Sequence, residues 1–404
     1  MKSDRRTFLK YSLVLPLAGA ARAGRAAPRR AAGPPPDSYY YEPWVEISPA
    51  LLRRNVREIS KRAGGRPILA VVKNNGYGLG TLNVAKILEP LPEIFGFAAI
   101  KMQEAVVLRD GGISKPVLLM ALADRETLDE AMAKDITLIL FTGPAAEIDR
   151  AAARFQRPVK FHACVDTGIG RIGVPFRDAE RLIRAYAGRP SLKQEGIMMT
   201  FSEDPELDPV QEDRFRTLCD GLSRAGVSLG KRHAVSSFGL FQRPGAFLDM
   251  VRPGMVLYGI YPEKEFRGTN LMDLRPAIAL KTRVVYVKKL RKGDSAGYNR
   301  AYLAKNDVWV ATLPIGHADG LPRLSTKGGK IKIGGAIHPV VAVSASHAVL
   351  EIGPEETVRA GDIAVVFDDQ PGSRPEDFVE SFGGSVYDLV MHLSALMPRR
   401  VTGS

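Results

Sequence analysis

Two cysteines in 404 residues, Cys164 and Cys219, rule out a disulfide framework; nothing in their spacing requires even one bridge. Six scattered histidines show no Cys/His metal-ligand spacing, which argues against a metal centre. No apolar run in the body of the chain reaches the ~20 residues that a membrane helix needs, so the mature chain carries no expected span. A GxGxxG fingerprint is missing, which disfavours a dinucleotide-binding open sheet. The net charge of +13 is not a nucleic-acid footprint. Residues 1–32 hold eight basic side chains against Asp4 alone and so carry +7 of it, leaving +6 spread along the rest. That dilute balance points to neither nucleic acid nor a membrane surface.

The first residues differ from the body. Asp4-Arg5-Arg6-Thr7-Phe8-Leu9-Lys10 precedes an apolar run over 11–21, and Ala21-Arg22-Ala23 follows as a small-x-small site. This segment resembles a twin-arginine (Tat) export signal, which implies export, to the periplasm or beyond. Residues 24–37, rich in Ala, Arg and Pro, read as a spacer.

From 67 onward short apolar runs alternate with amphipathic ones. The spacing predicts strands over 68–72, 94–100, 116–120, 136–141, 159–165, 196–201, 233–236 and 250–258. Helical patterns lie between them, over 81–88, 102–109, 125–134, 145–155, 178–186 and 209–225. Eight strands separated by helices predict an α/β fold, a closed (β/α)8 TIM-type barrel over 38–265. After 262 the texture changes to short strands with Gly-containing turns, predicting a mostly β C-terminal domain over 266–404. Residues 38–46 are candidates to pair with it.

Reactive groups of such a barrel belong at the C-terminal ends of its strands. Lys73 closes the run Ile68-Leu69-Ala70-Val71-Val72 and is followed by Asn74-Asn75-Gly76-Tyr77-Gly78-Leu79-Gly80. An amine held at the edge of a low-dielectric interior has a lowered pKa and is a candidate Schiff-base nucleophile. Asp166-Thr167-Gly168-Ile169-Gly170-Arg171, Ser236-Ser237 and Arg252-Pro253-Gly254-Met255 follow later strands. Glycines and hydroxyls there suit a phosphate, because backbone N–H groups can approach it.

Together these stretches resemble alanine racemases over about residues 43 to 400. The lysine motif, Val165 to Gly173 and Val251 to Gly259 match, as do Gly297-Tyr298-Asn299-Arg300-Ala301-Tyr302 and Leu313-Pro314-Ile315-Gly316-His317-Ala318-Asp319-Gly320. The resemblance implies pyridoxal 5'-phosphate (PLP) on Lys73 and a free amino acid as substrate. Racemisation needs a base on each face of Cα, and the resemblance assigns these to Lys73 and Tyr298. In the family the tyrosine comes from the partner subunit, so a homodimer with shared active sites is implied. Tyr77, Ser237, Gly254 and Met255 match the phosphate cup. Arg252 matches the arginine at the pyridine nitrogen, and Arg171 the one near the substrate carboxylate. His317 and Ser346 fall at the substrate entrance.

The chain also departs from the family pattern. The family's histidine after strand six is Thr200, the lysine often carbamylated is Cys164, and Asn-Ser is Ser236-Ser237. Two entrance tyrosines and a methionine correspond to His317, Ala395 and Ser346, and His347 stands for an aspartate. A wider, more polar entrance is the expectation, and with it either alanine or a broader substrate set. A PLP-dependent lyase or decarboxylase on the same fold, or a degenerate racemase-like PLP-binding protein, is the alternative.

Overall fold

The structure, a computed structural model, describes residues 42–142 and 145–403. The export-signal reading of residues 1–37 lies outside the described residues. The first strand, β1 (Trp44–Ile47), leads into the helix Pro49–Arg62. Ser48 caps that helix by accepting from Leu51 N, and Pro49 opens it. Leu52, Val56 and Ile59, spaced by four and three, are buried on its inner face.

Seven parallel strands then build the barrel wall: β2 (Ile68–Val71), β3 (Ile94–Ala99), β4 (Val117–Leu119), β5 (Thr137–Leu140), β6 (Val159–Asp166), β8 (Leu192–Met198) and β9 (Lys231–His233). A two-residue spur, β7 (Val174–Pro175), pairs with the end of β6. The strands neighbour one another in chain order, as expected where each is followed by a covering helix. β2 is buried at every position, which is why its sequence is a continuous apolar run rather than an alternating one.

The eighth strand predicted over 250–258 is corrected. Val251 bridges Ile68, and Leu69 N and Val71 N donate to Val251 O and Pro253 O at 2.9 and 3.0 Å. On the other side Arg252 N donates to Val235 O at 2.9 Å, so this short segment closes the wall. Beyond it the chain leaves the sheet as a 3-10 turn, Met255–Tyr258. Pro253 has no N–H for a ladder, and Gly254 adopts φ −117°, ψ −92°, outside the strand region.

The remaining strands are β10 (Ile278–Arg283), β11 (Tyr286–Leu290), β12 (Ser295–Ala296), β13 (Tyr302–Leu303), β14 (Val308–Leu313), β15 (Lys330–Ile333), β16 (Ala336–Val343), β17 (Ala348–Gly353), β18 (Ile363–Phe367) and β19 (Arg399–Val401). They form a nine-stranded sheet ordered β11-β14-β17-β16-β15-β18-β10-β1-β19, with β12–β13 a separate hairpin. β1 pairs antiparallel with β10 and parallel with β19, so the sheet recruits the strand that precedes the barrel. One hydrophobic core runs from Val45 through the barrel to Met397. The helix Val386–Met391 returns to the barrel, where a Cβ on Gly78 would lie 2.4 Å from Val390 O. No helix among the described residues is long and apolar enough to cross a membrane. Cys164 and Cys219 are both free and buried.

Candidate active site

The turn after β2 is the most unusual backbone in the barrel. Asn74, Asn75, Gly76 and Tyr77 all adopt left-handed conformations, with φ between 51° and 58°. An ordinary residue costs roughly 1–2 kcal/mol in that region, Asn and Gly less. The sequence Asn-Asn-Gly therefore suits the turn, and Tyr77 is the residue that carries the strain. Thr81 Oγ1 donates to Val72 O at 3.0 Å and closes the turn from below. Lys73, at its head, is half-buried. Burial lowers its pKa first, then the positive charges of Arg171 and Arg252, while Glu104 opposes them.

Arg252 lies in the floor of the barrel mouth and is 5% exposed. Its Nη2 donates to Met199 O at 2.9 Å and Thr200 Oγ1 at 3.1 Å. Its Nη1 lies 2.7 Å from His233 Nδ1, and His233 Nε2 lies 2.8 Å from His162 Nδ1. Arginine only donates, so His233 Nδ1 accepts and Nε2 carries the proton that His162 receives. Both rings are neutral: burial first and then Arg252 hold His162 down to about 3 and His233 well below its ordinary value. Burial brings Arg252 down to about 10, which still leaves it cationic at neutral pH.

Beside this floor is a polar cup. Ser237 Oγ accepts from Gly254 N at 2.9 Å and Val256 N at 3.4 Å. Met255, fully buried, heads the 3-10 turn whose first N–H groups have no partner within it. A Cβ on Gly254 would lie 2.3 Å from Tyr77 Oη, so only glycine leaves the opening that the tyrosine hydroxyl enters. The Tyr77 ring packs on Tyr258 with centroids 4.7 Å apart, and Tyr258 Oη donates to Val71 O at 3.1 Å. Burial pushes the Tyr77 phenol up, so it stays protonated and able to donate.

Arg171 is exposed at the same mouth, after a loop curled by Asp166 Oδ1, which accepts from Gly168 N at 2.9 Å and Gly170 N at 3.2 Å. Cys164 is buried nearby, and burial pushes its thiol up to about 11. A neutral thiol offers Arg171 no counter-charge. Ala395 leaves open a cavity of about 430 Å³ that it lines with Asn75, Lys101, Gln103 and Glu104, beside the lysine turn.

The other sequence-predicted residues gather on the β domain. Tyr298 follows Gly297, whose φ is 79°, and is 81% exposed. It lines a cavity of about 320 Å³ with Gly297, Ala342, Ser344, His347 and Val349, all from the β domain. His317 N donates to Ser344 O at 3.0 Å, so the exposed His317 turn lies against the exposed turn carrying Ser346. The structure thus brings Lys73, Tyr77, Arg171, Ser237, Arg252, Gly254 and Met255 to the barrel mouth. Tyr298, His317 and Ser346 form a second group, and no barrel residue lines the cavity at Tyr298.

Sequence reasoning missed the histidine pair behind Arg252. The signal was a histidine inside each of two apolar strand runs. The β6–β8–β9 register, with His162 opposite Gly196 and Met198 opposite His233, brings the two together. Gly196 makes room: a Cβ there would meet His162 Nδ1 at 2.7 Å.

A parallel barrel with a lysine at the exit of its first strand, an anion cup of N–H and hydroxyl groups, and an appended β domain defines the alanine racemase fold. The family models agree over both parts: "Alanine racemase, N-terminal domain" matches residues 47–262 and "Alanine racemase, C-terminal domain" residues 277–401. The chain belongs to the alanine racemase family. It is 33% identical over 365 residues to alanine racemase 2 of Caldanaerobacter subterraneus subsp. tengcongensis, covering 88% of this chain and 93% of that protein. The alanine racemase of Clostridium tetani is 31% identical over 88% of this chain and 94% of its own length. The solved alanine racemase from Streptomyces lavendulae superimposes with a TM-score of 0.85 at 26% identity, over 90% of this chain and 98% of that one. That from Streptomyces coelicolor A3(2) gives 0.84 at 27%, over 91% and 99%.

Proposed function

We propose that this protein is a PLP-dependent alanine racemase, an isomerase that exchanges the Cα proton of a free amino acid between its two faces. The observation that carries this reading is the convergence of Lys73, the cationic Arg252 and the Tyr77–Ser237–Gly254 cup at one barrel mouth. The cup fits a phosphate. It pairs a protonated phenol with the Ser237 hydroxyl, which accepts from Gly254 N and so keeps its own proton to donate, and the opening exists only because residue 254 lacks a Cβ.

Lys73 is the attachment point for the cofactor aldehyde, and Tyr77, Ser237, Gly254 and Met255 hold its phosphate. PLP supplies an electron sink that acidifies the substrate Cα–H. Arg252, a fixed cation backed by two neutral histidines, would lie toward the pyridine nitrogen and would keep it unprotonated. A weakened sink favours proton exchange over decarboxylation, which sets this reading above a lyase. Arg171 takes the substrate carboxylate. Burial and two arginines lower the pKa of Lys73, which favours its Nζ as the group that accepts the Cα proton on its face.

The opposite face needs a second acid–base group. Tyr298 fills that role from a second copy of the chain: it is exposed and lies in a cavity lined only by its own β domain. A homodimer with shared sites follows, with His317 and Ser346 at the entrance. The protein is exported folded by the Tat route, on the strength of Arg5-Arg6 and the apolar run behind them; normal export of an R5K/R6K variant would refute this. The activity itself is tested by Cα–deuterium exchange in heavy water. Exchange of alanine accompanied by loss of optical rotation supports racemisation, whereas release of an amine or keto acid instead overturns it.

A further inference from the structure

The left-handed turn that carries Lys73 is closed by its own backbone, Gly76 N donating to Val72 O at 3.2 Å and Gly80 N to Asn75 O at 2.7 Å, and is tied to the rest of the fold by side chains. Two side chains from distant parts of the chain grip it at opposite ends. At one end Glu104, in the first turn of the helix Met102–Asp110, accepts from Asn75 N through Oε1 at 3.2 Å. Its Oε2 accepts from Ile100 N and Lys101 N, both at 3.3 Å, so the carboxylate ties the turn to the exit of β3. At the other end Arg399, on β19, donates from Nε to Gly78 O at 3.0 Å. Its Nη1 donates to Ser394 O at 2.7 Å and Ala395 O at 3.0 Å. Gly78 is pressed against Val390, and Asn74 Nδ2 donates to Met391 Sδ at 3.6 Å.

Strained backbone persists only where its surroundings over-determine it. The surroundings here include one carboxylate and one guanidinium, the first also bound to the exit of β3 and the second to the chain at Ser394 and Ala395. Glu104 also acts on Lys73 directly, its negative charge opposing the effect of burial and the two arginines. We propose that Glu104 and Arg399 are positioning residues for Lys73, and that the C-terminal segment 386–399 is through Arg399 a working part of the catalytic turn. This rests on the reading of Lys73 as the lysine that carries the cofactor.

The test uses the full-length protein and the variants R399A, R399K and E104Q. Borohydride reduction of the wild-type holoenzyme, followed by peptide mass spectrometry, first locates the cofactor; a label elsewhere than Lys73 defeats the functional reading itself. With the label on Lys73, amide hydrogen exchange of the peptide spanning 73–79, measured without cofactor, is expected to accelerate in R399A while exchange in β2 stays slow. In the loaded enzyme R399A is expected to lower kcat on the order of 10²-fold, the cost of a reacting group displaced by about 1 Å. KM stays near its original value, and R399K, which keeps one donor, recovers most of the loss. If R399A does not fold, E104Q carries the same comparison, loosening the turn from its Glu104 side, with faster exchange at 73–79 and lowered kcat expected. Wild-type exchange at 73–79, or activity lost only in step with melting of the whole protein, overturns the proposal.

Discussion

Gly254→Ala is the smallest change that attacks the cup directly. The added Cβ would sit 2.3 Å from Tyr77 Oη and 3.0 Å from Cζ, well inside van der Waals contact. The Tyr77 backbone sits at φ 51° and its ring is backed by the fully buried Tyr258, so its hydroxyl end is the part that gives. Overpacking of this kind costs about 1–3 kcal/mol. Here the relief comes from pushing the hydroxyl out of the cup. At ~1.4 kcal/mol per decade, that displacement weakens cofactor affinity by roughly 5- to 150-fold. Titration of the apo-protein with PLP, followed by absorbance, measures it, with circular dichroism confirming the fold. An unchanged Kd would show that the Tyr77 hydroxyl takes no part in holding the phosphate.

Tyr298→Phe keeps the ring and removes the proton carrier, so exchange is expected to fall at least ~10²-fold with PLP still bound; an unchanged rate in both directions would assign the second base elsewhere, to His317 for example. Stability is expected to fall as pH drops from the ordinary histidine range of about 6.5 toward 3, because His162 and His233 bind protons when unfolded but resist them when folded. His162→Gln, which still offers His233 an acceptor, flattens that slope in denaturant melts, and an identical slope would place the linkage elsewhere. The open space at Ala395, with Ser346 and His317 at the entrance, is expected to admit side chains larger than a methyl group, polar ones such as serine foremost. A methylene is worth only ~1–3 kcal/mol in such a pocket, so kcat/KM across alanine, serine, methionine, lysine and arginine decides it, and strict preference for alanine refutes the wider entrance.

The barrel was legible because burial on both faces of β2 and β4 leaves continuous apolar runs, and helices separate the strands. Its closure was not. Met250 to Tyr258 is equally apolar whether it pairs or coils, and the Pro253-Gly254 pair that ends the pairing was read as part of a strand. The strand-end residues Lys73, Ser237 and Arg252 were legible for the same reason as the strands they follow. What holds them was not. His162 and His233 are 71 residues apart and meet only through strand register. Glu104 and Arg399 reach the lysine turn from 29 and 321 residues away. Such contacts are set by tertiary packing, and no local pattern of apolar and polar residues encodes them.

The central claim is that Lys73 moves a proton at the Cα of a free amino acid. Cα–deuterium incorporation into L-alanine and into D-alanine, followed separately by NMR for the wild type and for Lys73→Ala with PLP present, tests it most directly. The account predicts incorporation from both enantiomers by the wild type and none above the free-cofactor background by the variant. Undiminished exchange by Lys73→Ala, without an added amine, would contradict it.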